Sequence, residues 1–257
     1  MSLLEVRDLA MSFAGLRALR GVSFEVQSGE VLGLIGPNGA GKTTMLNCIS
    51  RLYQPSSGSV TFDGTNMLKV PMHGIAGLGI ARTFQNLEVH PGATVLENVT
   101  MACAWRYRSP LIAEMFSLPS ARARQAAARN DARAALELFD LLPYAETTMG
   151  SLSFGTQKSV ELARAMASKP KLLLLDEPAA GLNPDETAAL GRRILSLREG
   201  HGVTVVLIEH DMTLVMGTCD RIVVLDHGER ISCGTPEEVR SDPAVMAAYL
   251  GSGEDDA

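Results

Sequence analysis

The strongest chemical signal in the sequence is a glycine-rich stretch, Gly36-Pro37-Asn38-Gly39-Ala40-Gly41-Lys42-Thr43, which fits the pattern G-x-x-x-x-G-K-[ST]. Glycines allow the backbone to curl, so that successive N–H groups point inward and cradle a β-phosphate. Lys42 would supply a positive charge to the β- and γ-phosphates, and the Thr43 hydroxyl could ligate Mg²⁺. We therefore predict a nucleoside triphosphate site whose contacts come from Gly36, Pro37, Asn38, Gly39, Ala40, Gly41, Lys42, Thr43 and Thr44.

Two adjacent carboxylates follow a run of leucines. Leu172–Leu175 has the pattern of a buried strand, and Asp176 and Glu177 come directly after it. Beside a phosphate loop, an aspartate at this strand end can hold the Mg²⁺ shell through water, and the glutamate can act as general base toward an attacking water. We therefore predict a metal-binding role for Asp176 and a catalytic role for Glu177. The alternative is an exposed acidic turn after a core strand.

Two further polar residues could complete the chemistry of a hydrolase. His210 follows the β-branched strand Val203–Ile208, from which its ring could contact the γ-phosphate and orient Glu177. Gln85 follows Arg82-Thr83-Phe84, and its amide could reach both Mg²⁺ and the attacking water. A histidine at a strand end is more often structural or solvated, and glutamine is common in surface turns. Beside the phosphate loop, we predict both as catalytic residues and Gln85 as a metal ligand too.

The elements that would hold these residues can be predicted from the spacing of apolar residues. Val31–Ile35 is a short apolar run typical of a buried strand, and helical spacing follows the glycines at Met45, Ile49 and Leu52. Strand patterns return later, at Leu172–Leu175, Val203–Ile208 and Ile222–Leu225. Residues 94–145, between these two sets of strands, are rich in Ala, Leu and Arg and have a helical pattern. We predict a parallel α/β core interrupted by a helical insert.

Composition argues against several classes of protein. The chain has 257 residues, of which 46% are hydrophobic, so it can bury a core without disulfides or metals. Its four cysteines lack a Cys-x-x-Cys pair, which argues against a zinc ribbon or a disulfide framework and favours a reducing cytoplasm. The sequence has no apolar run of about 18 residues, which argues against a membrane span. A net charge of −6 disfavours a nucleic-acid partner.

Together the motifs resemble those of the ATP-binding cassette (ABC) ATPase subunits of membrane transporters. The segment Leu152-Ser153-Phe154-Gly155-Thr156-Gln157 is similar to the family signature L-S-G-G-Q, from which Phe154 and Thr156 depart. The resemblance implies that Ser153 and Gly155 meet the γ-phosphate of an ATP bound by a partner subunit. The working unit would then be a head-to-tail dimer that binds ATP and Mg²⁺ at its interface.

The same resemblance implies roles for other residues. Gln85 matches the family's Q-loop, Asp176-Glu177 its Walker B pair and His210 its switch histidine. Phe13 sits where the family places an aromatic ring that stacks on adenine, the alternative being a core phenylalanine. Ala180-Gly181-Leu182-Asn183 matches the D-loop, with Asn183 where aspartate is usual.

The fold that the resemblance implies is that of a P-loop NTPase. It would have a RecA-like α/β core with an antiparallel β subdomain, and a helical subdomain inserted in the core. We predict that residues 1–87 and 158–257 form the nucleotide-binding core and that residues 88–157 form the helical subdomain with the signature.

A narrower resemblance, to the ATPases of branched-chain amino acid importers, is seen in Ala81-Arg82-Thr83-Phe84-Gln85-Asn86 and Ile208-Glu209-His210-Asp211-Met212. It implies ATP hydrolysis coupled to uptake of branched-chain or other amino acids, at the cytoplasmic face of the inner or plasma membrane. The implied partners are integral membrane permease subunits, a second ABC ATPase subunit (identical or related) and, indirectly, an extracytoplasmic substrate-binding protein. The alternatives are the ATPase of a urea importer or a lipopolysaccharide exporter, or a soluble ABC clamp protein outside transport.

Overall fold

The computed structural model of the chain describes residues 2–83, 87–107 and 119–251. Its backbone divides into two compact units, one formed by Met1–Arg82 with Lys171–Ala257 and the other by Thr83–Pro170. The first unit holds two β-sheets with helices, and in the described part of the second unit the regular elements are helical. The predicted α/β core with a helical insert is therefore confirmed.

The strands that the structure describes all belong to the first unit. They are β1 (Ser2–Phe13), β2 (Leu16–Gln27), β3 (Val31–Ile35), β4 (Ser57–Phe62), β5 (Thr65–Asn66), β6 (Ile80–Arg82), β7 (Leu172–Asp176), β8 (Thr204–Ile208), β9 (Arg221–Asp226) and β10 (Glu229–Gly234). The α-helices are α1 (Lys42–Ile49), α2 (Val95–Cys103), α3 (Pro119–Leu138), α4 (Phe154–Ala167), α5 (Pro184–His201), α6 (Met212–Thr218), α7 (Pro236–Ser241) and α8 (Pro243–Gly251). Helices α2, α3 and α4 lie in the second unit.

A six-stranded sheet forms the centre of the first unit, in the order β10-β9-β3-β8-β7-β6. Its strands run parallel except for β10, which pairs antiparallel with β9 at one edge. Strands β3, β7 and β8 are buried throughout, as their continuous apolar runs predict. Because parallel strands end at the same edge, the segments that follow β3, β7 and β8 emerge side by side, with Asp176 opposite Ile208 in the register. The loops that carry the predicted site therefore meet at this edge.

A second, antiparallel sheet has the order β2-β1-β4-β5, which agrees with the expected antiparallel β subdomain. Along β2, Val22, Phe24 and Val26 are buried. One continuous hydrophobic core joins this sheet, the central sheet and α1, and it includes Phe62 and Met45. The phosphate loop thus begins and ends on elements that are anchored in the core.

In the described part of the second unit, three helices pack together. Helix α2 begins with a capping box, in which Thr94 Oγ1 accepts from the Glu97 N–H at 3.2 Å and the Glu97 carboxylate accepts from the Thr94 N–H at 2.8 Å. Helix α3 buries mainly small side chains, at Ala128, Ala132 and Ala135. Small side chains let helix axes approach closely, which suits α3 to packing against both α2 and α4.

Three boundaries differ from those that the sequence suggested. The second compact unit begins at Thr83, whereas the helical subdomain was predicted to begin at residue 88. Helix α1 ends at Ile49, before Leu52, because Arg51 adopts a left-handed conformation with φ of 62°. The predicted boundary between residues 157 and 158 lies inside α4, whereas the compact units divide between Pro170 and Lys171, since α4 packs on α2 and α3. In the described residues, none of the helices is both long and apolar enough to cross a membrane.

Candidate functional site

The phosphate loop connects the carboxyl end of β3 to the first residue of α1, Lys42. At two of its glycines the fold leaves no room for a side chain. A Cβ on Gly36 would lie 2.0 Å from the carbonyl oxygen of Leu225, and one on Gly41 would lie 2.6 Å from that of Ala18. Both glycines also have positive φ angles, 149° and 102°, which L-residues with side chains rarely adopt. The curled backbone that can bind a phosphate therefore depends on glycine at these two positions, where the neighbouring backbone packs closely.

The Lys42 side chain lies inside this loop. Its ammonium donates hydrogen bonds to the carbonyl oxygens of Gly36, at 2.7 Å, and Pro37, at 2.9 Å. Burial lowers the pKa of Lys42, and the nearby charges of Glu177 and Asp176 oppose that shift. The structure thus brings the lysine and both acidic residues into one electrostatic environment, where the ammonium can balance phosphate charge.

Asp176, the last residue of β7, is buried and paired with an arginine. Arg82 Nη2 lies 2.8 Å from Asp176 Oδ2, and the two side chains are 6% and 4% exposed. Through Nη1, Arg82 also donates to Asn47 Oδ1 at 2.7 Å and Ser50 Oγ at 2.8 Å, both at the end of α1. Burial raises the pKa of Asp176, and the hydrogen bond and charge of Arg82 oppose this rise.

Arg82 was not among the predicted site residues. Arg82 belongs to the Ala81–Asn86 segment that resembles the importer ATPases, but only the pairing of β6 with β7 shows that it lies beside Asp176. Its position fixes the carboxylate that we predict to hold the Mg²⁺ shell.

Glu177 and His210 face each other. Nε2 of His210 lies 3.0 Å from Oε1 of Glu177, although the residues are 33 positions apart in the chain. Glu177 has a φ of 51°, and its N–H donates to the carbonyl oxygen of Ile208 at 2.9 Å. The turn after β7 is thereby tied to the end of β8, and the two side chains meet as the sequence analysis expected.

Most of the predicted site residues line one cavity of about 410 Å³. It is lined by Phe13, Asn38, Gly39, Ala40, Gly41, Lys42, Thr43, Thr44, Glu177 and His210, and also by Leu16, Arg17, Ala18, Arg20 and His227. Phe13 is 38% exposed, so it is not the core phenylalanine of the alternative interpretation. Its ring packs edge-on against Tyr53 with centroids 5.1 Å apart. The sequence analysis missed Arg17 and Arg20, which add positive charge to the lining of the cavity.

The groups that could hold Mg²⁺ are oxygen donors. Thr43 has a hydroxyl at the start of α1, and Asp176 has a carboxylate at the end of β7. Hydroxyl and carboxylate oxygens fit this hard cation, which commonly completes its shell with waters and substrate phosphates. In the part of the chain that the structure describes, no group of three or more His, Cys, Asp and Glu side chains could hold a metal. The predicted ligand Gln85 lies outside the described residues.

The signature segment lies in the second unit, at the start of α4. Ser153 is the N-cap residue, and its Oγ accepts from the Thr156 N–H at 3.3 Å and lies 2.9 Å from Thr156 Oγ1. Phe154 is 47% exposed, and its ring centroid lies 5.8 Å from the buried ammonium of Lys158. Ser153 and Gly155 thus occupy a helix N-terminus, where a positive dipole and free N–H groups favour anions.

The D-loop departure also has a local structural role. Asn183 caps α5: its Oδ1 accepts from the Glu186 N–H at 3.0 Å, and the Glu186 carboxylate accepts from the Asn183 N–H at 3.0 Å. Asparagine and aspartate are about equally good N-caps. The helix cap is therefore preserved by this substitution.

Comparison with known proteins decides the family. The ABC transporter family model matches residues 19–180, which include the phosphate loop, the signature and the acidic pair. The chain belongs to the ABC transporter family. A second model, described as branched-chain amino acid ATP-binding cassette transporter, matches residues 229–255. The prediction of an ABC transporter ATPase is thereby confirmed.

Individual relatives of this ABC ATPase cover nearly its whole length. It is 44% identical to the high-affinity branched-chain amino acid transport ATP-binding protein BraF of Pseudomonas aeruginosa, over 97% of the chain and 98% of the relative. The crystal structure of the ADP conformation of MJ1267, an ATP-binding cassette of an ABC transporter, matches with a TM-score of 0.85 and 31% identity, over 98% and 99% of the two chains. The dimeric post-hydrolysis structure of the cassette MJ0796, bound to ADP and Pi, matches with a TM-score of 0.76 and 26% identity, over 91% and 98%.

Proposed function

We propose that this ABC ATPase binds and hydrolyses ATP to power uptake of branched-chain amino acids across a membrane. The observation that carries the catalytic part is the cavity that joins the phosphate loop, Phe13 and the Glu177–His210 pair. The substrate class is supported by the C-terminal family match at residues 229–255 and by the similarity to BraF.

In the proposed mechanism, the phosphate loop holds the triphosphate and Phe13 stacks on the adenine. The loop N–H groups bind the β-phosphate, and Lys42 neutralises charge on the β- and γ-phosphates. Bound Mg²⁺, held by Thr43, Gln85 and Asp176, would add positive charge that stabilises the transferring phosphoryl group. Arg82 keeps the Asp176 carboxylate in one orientation, because it binds that carboxylate and the end of α1 at once.

Glu177 is the proposed general base. Its carboxylate accepts a proton from the attacking water, and His210, 3.0 Å away, holds the carboxylate in place and contacts the γ-phosphate. The backbone bond from the Glu177 N–H to Ile208 fixes the turn that presents this carboxylate. Hydrolysis then leaves ADP and phosphate. These products bind the site differently from ATP, and so they no longer favour the ATP-bound dimer.

The second half of the site would come from another cassette. Ser153 and Gly155, at the N-terminus of α4, would bind the γ-phosphate held by a partner ATPase subunit, either a copy of this chain or a related chain. The dimeric cassette among the structural neighbours supports this arrangement. The conformational change that follows ATP binding and hydrolysis would be passed to integral membrane permease subunits at the cytoplasmic face of the membrane. An extracytoplasmic binding protein would deliver the amino acid to these subunits.

An uptake assay tests this function. Cells that lack the gene should lose uptake of labelled leucine, isoleucine and valine, and the wild-type gene should restore it, whereas a gene for Glu177→Gln should not. A mild-detergent purification of the tagged chain should recover two multi-spanning membrane proteins. Unchanged uptake in the deletion strain would contradict the substrate class, and recovery of ribosomes without membrane proteins would contradict transport.

A further inference from the structure

The residue between β8 and His210 is a buried carboxylate to which the sequence analysis gave no role. Glu209 is 4% exposed, although it directly follows the last residue of the strand, at an edge where the next residue, His210, is exposed. Burying a carboxylate in this way is costly unless hydrogen bonds compensate for the lost water. The contacts of Glu209 therefore indicate why a charged residue lies there.

Each oxygen of the Glu209 carboxylate accepts a hydrogen bond from a different loop. Oε1 accepts from the N–H of Ala179 at 2.6 Å, and Oε2 accepts from the N–H of His210 at 3.0 Å. Ala179 lies two residues after Glu177 and directly before the D-loop segment, which begins at Ala180. A single side chain thus ties the backbone that carries the proposed general base to the backbone that carries the switch histidine.

The neighbouring residues make this connection rigid. Asp211 caps α6, with its Oδ1 accepting from the N–H groups of Thr213 at 2.8 Å and Leu214 at 3.0 Å. On the other side, Glu177 occupies a left-handed conformation and donates to Ile208. Glu209 lies between these two fixed points. Removing its carboxylate would break the hydrogen bonds to Ala179 and His210, and so would loosen the two segments whose spacing sets the Glu177–His210 distance.

We propose that Glu209 is a positioning residue for ATP hydrolysis. Its carboxylate binds the backbone just before the D-loop and the backbone of the switch histidine, and so keeps His210 within reach of Glu177. This inference rests on the proposed roles of Glu177 and His210, both of which line the cavity, whereas Glu209 is not among the lining residues. A displacement of about 1 Å in such a pair can lower a rate by roughly a hundredfold, so a residue that fixes two backbones can control kcat without changing binding.

The chain supplies a matched control in Glu30. This residue is 9% exposed and accepts a hydrogen bond from the Gln27 N–H at 2.6 Å, as Glu209 does from Ala179. It also pairs with Arg221 at 2.8 Å. Glu30 lies just before β3, at the opposite end of the parallel sheet from the phosphate loop. A purely structural role predicts similar effects from Glu30→Gln and Glu209→Gln.

The test compares full-length Glu209→Ala, Glu209→Gln and Glu30→Gln. Each variant is measured for thermal unfolding, equilibrium ATP binding and steady-state ATP hydrolysis. We expect Glu209→Ala to lower kcat by about tenfold or more while the Kd for ATP changes by less than about threefold. Glu209→Gln keeps one acceptor oxygen and should retain an intermediate kcat, which also decides the question if Glu209→Ala does not fold. Glu30→Gln should keep the wild-type kcat.

A double-mutant cycle with His210→Ala shows whether Glu209 acts through the histidine. If it does, adding Glu209→Gln to His210→Ala should lower kcat by less than it does in the wild type. A wild-type kcat in Glu209→Gln, or fully additive losses, would overturn the inference. If Glu177→Gln and His210→Ala themselves kept the wild-type rate, the proposed catalytic roles would fail instead, so the two failures are distinguishable.

Discussion

Polar side chains are buried in one of the two candidate sites and exposed in the other. The first site, here called the nucleotide edge, is the sheet edge of the first unit where β3, β7 and β8 end, and the second is the signature segment of the second unit. At the nucleotide edge, Lys42, Asp176 and Glu209 are buried, and each has hydrogen-bond partners within the unit. At the signature, the polar side chain of Ser153 is exposed at a helix N-terminus. The side chains of the nucleotide edge are therefore held in place before any ligand binds. The exposed hydroxyl of Ser153 is what we expect of a surface that binds a ligand held by another subunit.

The largest effect should come from the general base. We expect Glu177→Gln to lower kcat by about 10²- to 10⁴-fold, because a positioned acid or base contributes that much to a proton transfer. The Kd for ATP should stay close to the wild-type value, since the phosphate loop is untouched. Steady-state hydrolysis and equilibrium nucleotide binding check both expectations. Asp185→Asn, an exposed acidic residue in the first turn of α5, is the control and should retain full activity.

The buried Arg82–Asp176 pair should contribute more to the free energy of unfolding than an exposed ion pair does. Arg82→Met leaves the Asp176 carboxylate buried without its cation, and breaking such a pair costs about 3–5 kcal/mol of unfolding free energy. Urea unfolding of the nucleotide-free chain measures this directly. Replacing Arg7, whose ion pair with Glu5 is exposed, should cost less than about 1 kcal/mol. Equal losses in the two variants would contradict the contrast between the buried edge and the surface.

Changes at the signature should separate hydrolysis from binding. We expect Ser153→Ala to destabilise α4 by about 1 kcal/mol, through loss of the N-cap, and to lower hydrolysis by about tenfold. ATP binding to the chain itself should not change, because the nucleotide cavity lies in the first unit. Ser151→Ala, two residues earlier, serves as the control. A weakened Kd for ATP in Ser153→Ala would show that the segment belongs to the chain's own site.

The smallest effect concerns the cysteines, none of which the proposed mechanism uses. Burial raises the pKa of Cys48 to about 11 and that of Cys219 to about 12, and Cys103 is buried as well. Because the thiolate is the reactive form, a thiol reagent at pH 8 should label exposed Cys233 quickly and the other three only after unfolding. Mass spectrometry after brief labelling identifies the modified residue.

Much of the site could be predicted because its signals are local. The phosphate loop is one contiguous motif between a strand and a helix, and Asp176-Glu177 follows an unmistakable buried strand. The Arg82–Asp176 pair and the Glu209 bonds could not be predicted, since they depend on which strands are neighbours and in what register. The end of α1 depends on a left-handed Arg51, and apolar spacing carries no information about a positive φ.

Departures from a family motif were also hard to interpret without coordinates. The sequence shows only that Asn183 stands where the family usually has aspartate, and the structure shows that Asn183 caps α5. Thr156 replaces a glutamine and forms a side-chain contact with Ser153. Neither the cap of α5 nor the contact between Thr156 and Ser153 can be read from a short motif alone.

In the proposed dimer, the nucleotide cavity of one subunit meets the signature segment of the other across the interface, and light scattering tests this most directly. Glu177→Gln should bind Mg²⁺-ATP without turning it over, and we expect its mass to double in a dimer, either alone or after mixing with a co-purifying cassette chain. Adding Ser153→Arg should abolish this dimer and leave ATP binding intact, whereas Ser151→Arg should not. A monomer under all these conditions, or a dimer that forms despite Ser153→Arg, would contradict the claim.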